Sequence, residues 1–166
     1  MKPLLFSILI LACTVTQAQN TNLGTNAGNA GAANTSIGYF AGDVVTGTGN
    51  IFMGHSAGRY VSVGNQNSFV GSYAGYSTTN GFENSFFGKN SGFSNSSGSQ
   101  NTFLGSYAGE FNTSGWQNTF SGALAGKQNT TAANNSYFGY GSGYTNSTGT
   151  KNAFFGSESG FYNTAS

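Results

Sequence analysis

The chain has 166 residues, of which 5% are charged, 15% are aromatic and 27 are glycine. Flexible linkers lack the apolar material to offset ordering entropy, and this chain carries it throughout, so a packed structure is expected. Beyond Lys2, four basic residues (Arg59, Lys89, Lys127, Lys151) balance four acids (Asp43, Glu83, Glu110, Glu158), which excludes the clustered cations that nucleic-acid binding needs.

Residues 1–18 read as a signal peptide. Lys2 is the short basic region, Leu4 to Ala12 the apolar core, and Thr16-Gln17-Ala18 offers small residues for cleavage. Cleavage after Ala18 removes Cys13 and Pro3, the only cysteine and the only proline. The rival reading is a lipobox, Ile10-Leu11-Ala12-Cys13, which makes Cys13 a lipid anchor. The apolar run is well short of the ~20 residues of a membrane span. The mature chain, residues 19–166, is expected to be secreted or held at the cell surface.

From there the chain repeats. The unit opens Asn-(Ser/Thr)-Phe-x-Gly-x-x-(Ala/Ser)-Gly, and its leading asparagines, Asn50, Asn67, Asn84, Asn101, Asn118, Asn135 and Asn152, stand 17 residues apart. Two shorter units begin at Asn20 and Asn34. The third position is aromatic: Phe52, Phe69, Phe86, Phe103, Phe120, Tyr137 and Phe154. Seventeen residues are too few for a helix pair or a propeller blade but fit one turn of a β-coil, short strands joined by glycine bends. The predicted fold is therefore an all-β parallel β-solenoid of about nine coils, roughly 40 Å long at ~4.8 Å per coil. Equal register stacks Phe on Phe and lets the Asn amides form a hydrogen-bonded ladder.

The tenth position tests that register. It reads Asp43, Arg59, Tyr76, Phe93, Glu110, Lys127, Tyr144, Phe161, opposite charges or aromatic pairs taken two by two, as cross-strand neighbours prefer. The fourth position, on the strand face opposite the rings, is also apolar: Ile37, Met53, Val70, Phe87, Leu104, Phe138 and Phe155, interrupted by Ser121. Either the following glycine bend swings this stripe inward or it is an oligomer interface.

The segment Asn-Thr-Phe-Leu-Gly-Ser-Tyr-Ala-Gly (101–109) and its copies resemble the Gly/Ala-rich repeats of bacterial surface and tail-fibre-like proteins. More distantly they are similar to the head repeats of trimeric autotransporter adhesins. The resemblance covers residues 20–166 and implies a left-handed roll, three chains side by side, and display on a cell or fibre surface. The adhesin heads have a shorter repeat with smaller aliphatic residues. Tail-fibre-like members continue into a coiled coil and a self-cleaving chaperone domain, so the chain is expected to continue beyond Ser166 or to be truncated there.

Catalysis needs converging titratable groups. His55 and Asp43, the only histidine and the only aspartate, fall in adjacent coils, and no serine is marked out to join them. The acids are too dispersed for a glycosidase pair, and one His without Cys excludes a metal cluster in the mature chain. No catalytic, metal or cofactor site is therefore expected. The leading reading is a structural or adhesive rod, self-associating as a homotrimer. A glycan or a host or surface protein would be met by the aromatics Tyr73, Tyr76, Phe93, Tyr107, Phe111, Trp116, Tyr144 and Tyr162. The alternative is an ice-binding solenoid using the hydroxyl column Ser62, Thr79, Ser96, Thr113, Thr130, Ser147 and Thr164.

Overall fold

The computed structural model describes residues 21–24, 27 and 33–164. The signal peptide, Cys13, most of the first coil and Ser166 lie outside the described residues. From Asn50 onward each turn opens with an inward Asn, then alternates: second residue outward, ring inward, fourth residue outward. Nine three-residue strands result: β1 (Thr21–Leu23), β2 (Thr35–Ile37), β3 (Ile51–Met53), β4 (Ser68–Val70), β5 (Ser85–Phe87), β6 (Thr102–Leu104), β7 (Thr119–Ser121), β8 (Ser136–Phe138) and β9 (Ala153–Phe155). They form one sheet in chain order, each parallel to the next and in unshifted register, with Phe69 opposite Phe52 and Phe86 opposite Phe69. The chain is an all-β parallel solenoid of about eight turns.

The bends use glycine where space forbids a side chain. At the fifth position, Gly88 has φ 138° and an added Cβ would lie 2.5 Å from the Gly105 carbonyl oxygen. At the ninth, Gly92 has φ 57° and its Cβ would lie 2.3 Å from the Phe86 ring. Two further bends are made mostly without glycine, Gly141 and Gly49 being the exceptions. The seventh position (Tyr73, Asn90, Tyr107, Leu124) and the seventeenth (Gln66, Glu83, Gln100, Gln117) all hold φ between 55° and 62°. This left-handed region is costly for ordinary residues. Backbone hydrogen bonds to the preceding turn hold them there: Tyr107 N–H donates to Lys89 O at 2.8 Å and Gln100 N–H to Phe82 O at 3.0 Å. The 16-residue coil from Asn34 is one residue short at a third bend, where Thr46 and Gly47 N–H both donate to Ser62 O.

The interior is built from columns. Phe52, Phe69, Phe86, Phe103, Phe120 and Tyr137 are wholly buried; from Phe69 to Tyr137 the rings stack at 4.7–4.8 Å with planes within 5°. Phe154 is partly buried against them. Beside the rings runs the asparagine ladder, in which every polar atom of an interior member is satisfied. The Nδ2 of Asn84 donates to Asn67 Oδ1 at 3.0 Å and to Gly98 O at 2.8 Å. Its Oδ1 accepts from the backbone and side-chain nitrogens of Asn101 at 3.0 and 3.2 Å. That uses both amide protons and both lone pairs, which is why an amide is tolerated here without water.

A second buried column, at the twelfth position, escaped the sequence reading. It runs Val45, Val61, Thr78, Asn95, Asn112, Asn129, Asn146. Asn112 Nδ2 donates to Asn95 Oδ1 at 2.6 Å, continuing one step of a ladder. Asn129 instead closes on its own turn, its Oδ1 accepting from Ala132 N–H at 3.0 Å. Ala132 stands where other turns have glycine. A Cβ at the equivalent Gly115 would lie 2.3 Å from Asn112 Oδ1, so the methyl of Ala132 excludes the ladder orientation for Asn129. Asn112 Oδ1 is left without a hydrogen-bond partner.

Candidate functional site: the outward face of the sheet

Strand alternation and the glycine bend together decide where the fourth-position stripe goes. Because the chain turns only after that residue, the side chain leaves on the outer face. Met53, Phe87, Leu104 and Phe138 are 37–43% exposed and Phe155 68%, while Ile37, Val70 and Ser121 are half-buried. The bend does not fold the stripe inward. Phe138 and Phe155 stack at 5.0 Å along it. Beside it, the second position of the repeat, which opens each strand, presents Thr35, Ser68, Ser85, Thr102, Thr119 and Ser136, with Ile51 and Ala153 at β3 and β9. The outward face is thus an apolar column flanked by a largely hydroxyl one, repeated at the strand spacing.

The tenth-position column lies on the far side of the bend, and all four of its pairings are present. Arg59 Nε is 3.4 Å from Asp43 Oδ2, and Lys127 Nζ is 3.3 Å from Glu110 Oε2. Tyr76 stacks on Phe93 at 5.0 Å and Tyr144 on Phe161 at 4.6 Å. Partial burial works against the charge of Lys127, but Glu110 beside it, with Tyr144, outweighs this and holds its pKa above the ordinary lysine value. The guanidinium of Arg59 also lies over the Phe40 ring, 4.0 Å from its centroid.

The aromatics singled out for ligand contact divide by environment. Trp116, Phe111 and Tyr162 are exposed, whereas Tyr73, Tyr76, Phe93, Tyr107 and Tyr144 are half-buried. Stacking of Tyr76 on Phe93 and of Tyr144 on Phe161 turns ring faces toward neighbouring turns and edges toward solvent. Sugar recognition by stacking requires a free face. His55 sits among tyrosines, 5.3 Å from Tyr39 and 5.0 Å from Tyr73 between ring centroids. The hydroxyl column is occupied internally: Thr79, Ser96, Thr113 and Thr130 each donate to the carbonyl of the same position one turn on, at 2.9–3.1 Å.

No cavity opens among the described residues, and they contain no group of three His, Cys, Asp or Glu able to hold a metal ion. No helix of the described residues is long and apolar enough to cross a membrane. Outside the columns already read, the sequence reading missed a third amide run. Gln117 Nε2 donates to Gln100 Oε1 at 3.1 Å and Gln100 Nε2 to Glu83 Oε2 at 3.0 Å. The signal for it was the recurrence of Gln immediately before the ladder asparagine. Comparison with known proteins finds no matching family model, no matching curated protein and no matching solved structure.

Proposed function

We propose that the chain is an extracellular or cell-surface structural and adhesive rod, without catalysis, that works as a side-by-side homotrimer. One observation carries this reading. A line of large apolar side chains, Met53, Phe87, Leu104, Phe138 and Phe155, stands in water on the outside of a sheet whose interior is already filled. Contiguous exposed apolar surface of this kind is characteristic of an interface, and repetition at the strand spacing suits a partner with the same repeat. The export signal read at residues 1–18 and the resemblance to fibre and adhesin repeats support the location. The ice-binding alternative stands second because the hydroxyl protons it would use are donated to carbonyls within the rod.

The test is the solution mass of residues 19–166 by light scattering on a sizing column. Three copies per particle are expected. Replacing Phe87→Glu and Leu104→Glu together should give a folded monomer, because both side chains point into solvent. A wild-type chain that stays monomeric at high concentration would overturn the reading, and an ice-recrystallisation assay would then decide on the alternative.

A further inference from the structure

A rod of near-identical turns has a register problem. Two copies packed side by side can slide by one turn and find almost the same contacts, because the apolar stripe repeats with the strands. Register must come from whatever does not repeat. The charged side chains are the least repetitive part of this sequence, and the described residues contain eight of them.

These eight divide into two sets. Asp43 with Arg59 and Glu110 with Lys127 form ion pairs between neighbouring turns. Glu83, Lys89, Lys151 and Glu158 are all exposed and join no ion pair among the described residues. Glu83 accepts a hydrogen bond from Gln100, and the Lys89 ammonium lies 5.7 Å from the Tyr107 ring centroid.

The second set is arranged around two strands. Glu83 stands two residues before β5 and Lys89 two residues after it. Lys151 stands two residues before β9 and Glu158 three residues after it. Each strand is therefore bracketed by one charge of each sign, and the order is reversed between them: negative then positive at β5, positive then negative at β9. No other described turn places Asp, Glu, Lys or Arg at these bracketing positions. Between the brackets run Phe87, Leu104, Ser121, Phe138 and Phe155.

Resting on the self-association proposed above, we infer that this face receives a second copy of the chain lying parallel and in register. Glu83 of one copy then meets Lys89 of the next, and Lys151 meets Glu158. Rotation about an axis parallel to the rods, two-fold or three-fold, carries the beginning of each strand toward the end of the same strand in the neighbour. At equal height the four charges pair with opposite signs at both levels. A slip of four turns brings Glu83 against Glu158 and Lys89 against Lys151, like charge against like, so the reversal of order penalises that misalignment. Antiparallel packing centred on β7 also pairs opposite charges, Glu83 with Lys151 and Lys89 with Glu158. Among the described strands, however, it overlaps only β5 to β9 and gives Ile37, Met53 and Val70 no described counterpart. The parallel arrangement covers the stripe from β2 onward.

Charge exchange tests this with light scattering across a dilution series. E83K should raise the dissociation midpoint by roughly tenfold or more, since like charges facing across an interface are costly. K89E alone should act the same way, and raised salt should weaken the wild-type assembly. The double variant E83K/K89E restores opposite charges and should return to the wild-type midpoint, while E83K/K151E should not. Circular dichroism of each variant should match the wild type, because all the side chains are exposed. Rescue by K151E in place of K89E would establish antiparallel packing and overturn the inference. So would an assembly indifferent to E83K and K89E, although self-association itself would survive that result. A monomeric wild type would remove both.

Discussion

Phe52 and Phe103 occupy the same ring column in turns with the same backbone, yet the twelfth position of their turns is Val61 in one and Asn112 in the other. The whole rod divides this way. Toward the N-terminal end the interior pairs one amide ladder with an apolar wall, Val45 and Val61; from Asn95 to Asn146 the second wall is made of amides too. The solenoid thus does not require a particular chemistry at that wall. It favours residues that are satisfied within their own turn or by their neighbours, a condition that Thr78 and the Oδ1 of Asn112 fail. Valine meets this condition by having no polar atoms. Asparagine meets it beside another asparagine, as Asn95 beside Asn112, or by closing on the following bend, as Asn129 on Ala132 and Asn146 on Gly149. Thr78, at the boundary between the two regimes, has a buried hydroxyl oxygen without a partner.

The first-position ladder is what the two regions share, so breaking it should have the largest effect. Asn101→Asp keeps the shape but removes both amide protons, which donate to Asn84 Oδ1 and Gly115 O. Oxygens would then face one another at a site with no exposure. A loss on the order of 4 kcal/mol is expected, read as a lower urea midpoint at unchanged slope. A change below about 1 kcal/mol would mean that the amide ladder contributes little beyond filling space.

The twelfth position should sort by region. Val61→Asn puts an amide between Val45 and Thr78, where it has no ladder partner, and should cost about 2–3 kcal/mol. Thr78→Asn places the same amide next to Asn95. It extends the C-terminal regime by one turn and replaces a hydroxyl that already lacks a partner. It should leave stability within about 1 kcal/mol of the wild type, or raise it. Equal losses at the two sites would show that neighbours do not determine the tolerance of this wall.

This contrast also marks what the sequence could reveal. The leading Asn and the ring two residues later are chemically the same in nearly every turn, so their columns are legible from spacing alone. The tenth position was legible for a different reason: Asp43 with Arg59 and Glu110 with Lys127 are complementary only if the turns stack in register. The candidate outward face was legible as an apolar stripe, and the structure adds that the chain turns only after it. The twelfth column hid because Val, Thr and Asn share no chemistry, only a place. The seventh-position bends hid more deeply, since Tyr73, Asn90, Tyr107 and Leu124 have nothing in common except a left-handed backbone. That conformation is imposed by hydrogen bonds to adjacent turns, which no local propensity records.

Tyr137 gives the finest test, because it is the one ring of the buried column that carries a hydroxyl. Its turn supplies an amide to meet it: Asn146 Nδ2 donates to the phenol oxygen. Burial raises its pKa to about 12, although hydrogen bonds from Asn146 and Asn152 pull the other way. An unfolded tyrosine ionises near pH ~10. Below that pH both states are protonated and the contribution to stability is complete. Between about 10 and 12 the unfolded chain loses its proton while the folded rod keeps it, so stability falls as pH rises, by on the order of 2 kcal/mol over the window. Tyr137→Phe should lose about 1 kcal/mol at neutral pH with the Asn146 bond, and should lack this tyrosine's part of the alkaline decline. The Val61 end of the rod has only Phe52 and Phe69 in its ring column and nothing there to titrate. If the decline persists unchanged in Tyr137→Phe, the alkaline sensitivity does not arise from the ring column of the amide-walled interior.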